Sequence, residues 1–385
     1  MLVIKNAKIV TPPTILDCAE VFVENGRIVA VSAPNQHAIA EDAEIIDATG
    51  QILVPGFIDM QFNGAFGHDF AREPEAIWKV AKGLPQWGVT SFLPTVVTSP
   101  LTTVQKAQEV LGIRPYQYES AEPLGLHIEG PFINPQKKGA HNPNYIQLPR
   151  LEAVADWSPE THVRLVTLAP EQKGALPVIS ALAERNVIVS AGHSMATFDE
   201  AKAGFDAGIR YGTHLFNAMP PLHHREPSLP GALLDDSRVV IGIIPDGVHV
   251  HPNLINVVWQ VAGDRLNVVT DAMAALGMPA GEYDLGDFTV EVDETTCRLP
   301  DGTLAGSILS LDTAVRNLIA FTNCTLAEAL STVTTIPAQM LGLEQQKGVI
   351  APDFDADLVL LDEQLNVQTT IVHGKVVFNS ERVDV

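Results

Sequence analysis

The feature that most constrains this chain is a rhythm in its middle. Short apolar runs stop abruptly at polar residues and are separated by amphipathic stretches. The runs are ILVPGFIDM, TSFLPTVV, PLGLHIEG, VRLVTLAPE, VIVSAGHS, YGTHLFNA, VVIGIIPDG and LNVVTDAM. Between them lie segments such as PEAIWKVAKGLPQWG and TFDEAKAGFDAG. Runs nearly continuous in Val, Ile and Leu are what parallel strands covered on both faces require. Eight such strands alternating with helices predict an α/β fold, a (β/α)8 barrel of the TIM type.

The two ends of the chain read differently. LVIKNAKIV, AEVFVENGRIVAV and AEIIDATG alternate apolar and polar residues, as half-buried strands do. Asn25-Gly26 is a hairpin signal. ADLVLLD and TTIVHGKVVFN, with His373-Gly374 at a turn, repeat the pattern near the end. The expectation is a small β-sandwich domain built from both termini, residues 1–52 and 345–385. The barrel would occupy 53–344. The stretch from Gly281 to Asp301 breaks the rhythm and predicts a β-hairpin insertion near 281–303.

A parallel barrel gathers the C-terminal ends of its strands on one face, where active sites form. The polar residues that stop the apolar runs would therefore meet at one mouth. Gln61 and Asn63 follow the first strand. Glu129 ends the third, with His141 in its loop. His193 and His214 end the fifth and sixth, Asp246 and His249 follow the seventh, and Asp271 ends the eighth. Glu129, His193 and His214 form a plausible metal set, two imidazoles and a carboxylate, with a position left for water. Zn²⁺ suits it best, with Fe, Co, Mn and Ni as alternatives. Each histidine alone could equally be a satisfied core residue. Asp271 alone could be a helix cap.

Charge bears on the ligand. The chain has 46 Asp+Glu against 24 Lys+Arg, a net charge of -22. Such a surface repels nucleic acid and anionic membranes, and no run of basic residues offsets it. An anionic substrate would need local cations. Arg225, whose planar fork matches phosphate oxygens, and His249 are the candidates. Arg225 lies in HLFNAMPPLHHREP, which could also be only a solvated turn. His223, His224 and His251 read as surface histidines, and His68 as lying outside the site. Cys18, Cys297 and Cys324 are odd in number and far apart. They imply a reducing, cytoplasmic setting without disulfides, and Cys297 gives no sign of being a nucleophile. No signal peptide and no apolar stretch of membrane-spanning length is apparent.

Taken in order, VPGFIDMQFNG, GLHIEGPFINPQKKGAH, SAGHS, THLFNAMPPL, GIIPDGVHV, VTDAM and LAGS resemble the N-acetylglucosamine-6-phosphate deacetylase family of the amidohydrolase superfamily. KGVIAPDFDADLVLLD resembles that superfamily's return to its small β domain. The resemblance implies metal ligation by Glu129, His193 and His214. It implies Asp271 as general acid/base and His141 as the contact to the amide carbonyl. Ala140, Asn217, Ala218, Arg225, Asp246, His249 and the stretch Leu304, Ala305 and Gly306 would hold the sugar phosphate. It further implies a homodimer in which Arg225 reaches the neighbouring site. Many superfamily members carry His-x-His after the first strand to bind a second metal. Here the position reads Gln61-Phe62-Asn63, and neutral amides are poor transition-metal ligands. One divalent ion per subunit is expected, with a second weak or absent.

The expected reaction is hydrolysis of N-acetylglucosamine 6-phosphate to glucosamine 6-phosphate and acetate. A cyclic-amide hydrolase of the dihydroorotase or hydantoinase kind is one alternative. It is disfavoured by the missing histidine pair and by the absence of a lysine ending a strand. A non-catalytic barrel acting as an interaction protein is another. It is disfavoured by the joint presence of Glu129, His193, His214 and Asp271.

Overall fold

The computed structural model describes residues 1–115 and 119–382. Its centre is a barrel of eight parallel strands: β1 (Phe57–Phe62), β2 (Val89–Val97), β3 (Leu126–Glu129), β4 (Val163–Leu168), β5 (Ile188–Ala191), β6 (Ile209–Gly212), β7 (Val240–Ile243) and β8 (Leu266–Val268). Each pairs with the next in chain order. The seam between β8 and β1 is closed just beyond the strand ends. There the Asp271 N–H donates to the Gln61 carbonyl at 3.0 Å and the Asn63 N–H to the Ala272 carbonyl at 2.8 Å. Every residue of β1, β2 and β3 is buried, as the unbroken apolar runs require.

The barrel interior also carries polar groups, several of them paired by hydrogen bonds. His127 meets the Thr167 hydroxyl at 2.7 Å, Thr167 meets Thr213 at 2.7 Å, and Thr270 donates to Asp59 at 2.7 Å. These bonds link strands beneath the mouth, Thr167–Thr213 reaching across from β4 to the end of β6, and a buried polar group without such a partner would be costly.

The alternation of strand and helix is not uniform. Helices Ala175–Glu184, Phe198–Ala207, Ser228–Asp235 and Pro252–Ala262 follow β4 to β7 in turn. The connection from β3 to β4 has no α-helix, only short 3-10 turns such as Leu151–Val154. Its chain is spent on the loop that carries His141. Helix Phe198–Ala207 begins where the sequence says it should: the Thr197 and Glu200 side chains cap each other's backbone N–H groups.

Both termini contribute to one eight-stranded sheet. Strand Leu2–Thr11 runs parallel first to Glu44–Asp47 and then to Ile52–Pro55. The change of partner falls at Asn6, which has a φ of 62° and donates to Asp47 at 3.0 Å. Asn and Gly are the residues that tolerate this conformation. The strand Ile52–Pro55 belongs to this sheet, so the sheet runs a few residues past position 52. The apolar faces of these strands share a core of their own, including Ile4, Ile9, Val21, Leu53 and Leu358. The two turns read from sequence, Asn25-Gly26 and His373-Gly374, have all four residues at positive φ.

The segment after β8 differs in detail from the expected hairpin. It is a three-stranded antiparallel sheet, Gly281–Leu285, Phe288–Val292 and Cys297–Arg298. Its inner face packs Leu285, Val290 and Cys297 against Met273 and Ala305. Burial pushes the Cys297 thiol up to about 12, so it is inert as a nucleophile. Among the described residues no helix is long and apolar enough to cross a membrane.

Candidate active site

Glu129 is the last residue of β3, and His193 and His214 stand two residues beyond β5 and β6. The three side chains meet over the barrel mouth. His193 Nε2 lies 3.2 Å and His214 Nε2 3.0 Å from Glu129 Oε1, and the two Nε2 atoms are 3.2 Å apart. All three side chains are buried. The His193 Nδ1 sits 2.8 Å from the Lys137 carbonyl, which can only accept, so the ring proton is on Nδ1. Nε2 of His193 is then a lone pair facing a carboxylate oxygen. That contact is repulsive unless a cation lies between them. The residues present therefore fit a divalent metal, with His193 oriented from behind by a carbonyl.

The charges agree with this geometry. Burial alone would raise Glu129, but the influence of the neighbouring His193 and His214 outweighs it and holds the carboxyl well below its usual range. Burial alone would lower His214, but the Glu129 carboxylate outweighs it and raises that imidazole.

Asp271 stands opposite. Gln61 and Asn63 both donate amide hydrogens to its Oδ1, at 3.0 and 2.7 Å, which leaves Oδ2 for other work. Burial, reinforced by the nearby Glu129 charge, raises Asp271 to about 6. No helix follows Asp271, so it is not a cap. His141 comes in from the loop after β3. The Thr98 backbone N–H donates to its Nδ1 at 3.2 Å, and the Thr98 hydroxyl is 2.7 Å from the same atom. Nδ1 is thus an acceptor, the ring proton is on Nε2, and Nε2 lies 3.9 Å from Glu129 Oε2. Burial, with the neighbouring His193, lowers His141 to about 3, so the ring is a neutral donor.

Three of these residues sit in the left-handed backbone region: His193 at φ 47°, His214 at 29° and Asp271 at 51°. Such conformations cost energy for residues with a Cβ and cluster where side chains must be aimed.

The mouth opens into a cavity of about 310 Å³. Glu129, His193, His214, Asp271 and His141 all line it. Asn217, Ala218, His249, Ala140, Leu304, Ala305 and Gly306 line it as well. The 304–306 stretch is placed there by a bridge between Ser307 and Ala272, the Ser307 N–H donating to the Asp271 carbonyl at 2.9 Å.

Two expected contacts are not on the wall. Asp246 does not line the cavity. It accepts from His249 Nδ1 at 2.6 Å and from the Val248 and His249 backbone N–H groups at 2.8 Å each, so it aims His249 instead of meeting a ligand. Arg225 is exposed, outside its own chain's cavity, with Nη1 2.8 Å from His224 Nε2. His68 is also off the wall, bonded to Glu73 at 2.7 Å.

Sequence reasoning missed Gln136, Lys137, Leu285 and Thr303 on the wall, and Thr98 behind His141. Lys137 could have been noticed, since QKKGAH places it four residues before His141. Leu285 carried no signal, because only the folded insertion brings it there.

The chain belongs to the amidohydrolase family, whose profile matches residues 52–377. Within it, the chain belongs with the N-acetylglucosamine-6-phosphate deacetylases. It is 40% identical over 349 residues to N-acetylglucosamine-6-phosphate deacetylase of Homo sapiens, covering 87% of this chain and 85% of that one. It is 37% identical over 378 residues to N-acetylgalactosamine-6-phosphate deacetylase of Escherichia coli O157:H7, covering 97% and 98%. Among solved structures it resembles a variant N-acetyl-D-glucosamine-6-phosphate deacetylase from Mycobacterium smegmatis in complex with N-acetyl-D-glucosamine 6-phosphate. The TM-score is 0.88 at 32% identity, covering 98% of this chain and 99% of that one.

Proposed function

We propose that this chain hydrolyses the acetamide of N-acetylglucosamine 6-phosphate, giving glucosamine 6-phosphate and acetate. The observation that carries this reading is the convergence of a metal triad, a buried carboxylate and a neutral imidazole donor on one cavity. Its relatives act on sugars of this kind by name.

Glu129, His193 and His214 would hold one divalent ion, zinc by the preference of two imidazoles and a carboxylate. Bound there, such an ion lowers the pKa of water toward ~7 and polarises a carbonyl. Asp271 takes the proton of the attacking water on Oδ2, while Gln61 and Asn63 hold Oδ1. His141 donates its Nε2–H to the acetyl oxygen as negative charge develops there, the role of a preorganised donor. Asp271 then passes its proton to the amine nitrogen as the C–N bond breaks. Gln61 and Asn63 turn their N–H groups toward Asp271, which favours one ion over two.

The phosphate would lie against Asn217, Ala218 and His249, with Asp246 as a positioning residue, and Ala140 and Leu304 to Gly306 would enclose the sugar. Arg225 completes the phosphate site only from a second subunit, so the working form is a homodimer. The free Cys18, Cys297 and Cys324 fit a reducing cytoplasm.

The test is acetate release measured on four substrates side by side. These are N-acetylglucosamine 6-phosphate, its galactosamine epimer, unphosphorylated N-acetylglucosamine, and a cyclic amide such as dihydroorotate. The expected order puts the glucosamine 6-phosphate first by kcat/KM, with the unphosphorylated sugar at least about tenfold behind, the contribution of one charge-assisted hydrogen bond. Equal rates with and without phosphate, or turnover confined to the cyclic amide, would overturn the reading.

A further inference from the structure

A second cavity, of about 960 Å³, lies at the opposite end of the barrel from the metal triad. It is bounded by both turns of the small sheet, Asn25-Gly26 and His373-Gly374, and by residues at the N-terminal ends of β3 and β4. Its walls carry five Lys/Arg side chains, Arg27, Arg114, Arg164, Lys347 and Lys375, against two carboxylates, Glu122 and Asp355. In the whole chain acids outnumber these bases, 46 to 24. The wall reverses that ratio.

Ion pairing within the wall does not account for all of this charge. Lys347 is fully engaged, at 2.6 Å from Asp357, 3.1 Å from Asp355 and 3.3 Å from Glu122. The same two wall carboxylates also serve Arg27, through Asp355, and Arg114, through Glu122. The distances there are 3.4 and 3.7 Å, and about half of each arginine side chain is exposed. Among the described residues Lys375 has Glu119, itself exposed, as its ion-pair partner, at 3.7 Å, a pair of little strength. Arg164 has no carboxylate within ion-pair distance among the described residues. Its Nε donates to the Leu124 carbonyl at 3.1 Å, which anchors the guanidinium in the wall.

We propose that this cavity binds the phosphoryl group of a small phosphorylated metabolite. Three arginines from separate segments converge, and the guanidinium fork matches phosphate oxygens two at a time. The volume falls within the ~300–1,000 Å³ common for small-molecule sites. Arg27 and Lys375 come from the small sheet, and Arg114 and Arg164 from the barrel, so a bound phosphate ties the two bodies together. Binding to the folded state alone then stabilises the protein by mass action. The site is independent of the deacetylase reading, since it shares no wall residue with the first cavity.

The experiment reads Arg164 directly. Full-length protein is treated with phenylglyoxal, and the Arg164 adduct is followed by mass spectrometry. Inorganic phosphate, a hexose 6-phosphate and ADP are compared with chloride at matched ionic strength. Protection of Arg164 is expected, and the strongest protector identifies what carries the phosphoryl group. By calorimetry the wild type should bind one more equivalent of that probe than Arg164→Gln does, with kcat and KM unchanged in the variant. Lys375→Gln, at an exposed position, should weaken the same equivalent without removing it. Equal labelling of Arg164 in all four solutions, or equal stoichiometry in wild type and Arg164→Gln, would overturn the proposal.

Discussion

At the scale of the residue, the site is a problem of aiming. Asp271 is useful only if one oxygen is held and the other is open, and the amides of Gln61 and Asn63 produce that asymmetry by both donating to Oδ1. Asp271→Asn keeps an oxygen for those amides to bind but cannot take a proton. It should retain its metal and its fold while kcat falls by about 10²–10⁴, the usual contribution of a general acid/base. Elemental analysis and steady-state rates on one preparation decide this, and a variant keeping most of its kcat would show that Asp271 moves no proton. Glu129, His193, His214 and Asp271 were legible in sequence because each interrupts an apolar run at a strand end, and barrel topology gathers those ends. Thr98 was not, and neither was the contact of the Lys137 carbonyl with His193. Their roles depend on which carbonyl or ring nitrogen the loop after β3 presents to them, and no spacing encodes that.

At the scale of the element, the β3–β4 connection is where the regular pattern gives way to function. Its lost helix leaves chain for the turn that brings His141 over the mouth. The turn starts at Gly130, with a φ of 94°, and a Cβ there would collide with the Thr98 hydroxyl. That hydroxyl lies 2.7 Å from His141 Nδ1, to which it donates, and 3.2 Å from the Glu129 carbonyl. Gly130→Ala should therefore dislodge His141 while leaving the triad's ligand atoms in place. The expected outcome is a fall in kcat of about 10²-fold, as a misplacement of the order of 1 Å can cost, with metal content unchanged. Thr98→Val retains the backbone N–H to His141 and should lose much less. If Gly130→Ala turns over like the wild type, the link from Gly130 through Thr98 to His141 is not how the ring is held. The alternation of strands and the inserted sheet could be read in advance from apolar period and turn residues. The missing helix was not read in advance, although Pro131, Pro135, Pro143, Pro149 and Pro159 argue against a helix in 130–162.

At the scale of the whole molecule, a net charge of -22 must coexist with an anionic ligand. Long-range attraction cannot concentrate that ligand, so the holding groups must be local and close. Within one chain the cavity wall offers Lys137, His249 and Asn217, while Arg225 lies exposed outside it. A dimer would add a guanidinium fork if Arg225 of one subunit entered the cavity of the other. Arg225→Ala should then raise KM for the phosphorylated sugar by about tenfold to 150-fold, the range for 1.5–3 kcal/mol, and scarcely change the unphosphorylated one. Complementation tests the geometry more sharply. Arg225→Ala chains and Asp271→Asn chains are each nearly inactive alone at low substrate. In a mixed dimer, the site with an intact Asp271 lies in the Arg225→Ala chain, and it receives an intact Arg225 from the Asp271→Asn chain. The other site lacks both. One site in two is thus restored in every mixed dimer. With random exchange between equal amounts of the two chains, about half the dimers are mixed, so activity should return to roughly a quarter of the wild-type value. Subunit exchange is verified by mass, with one chain isotopically labelled. Proven exchange without recovery would mean that Arg225 serves its own chain or does not hold phosphate.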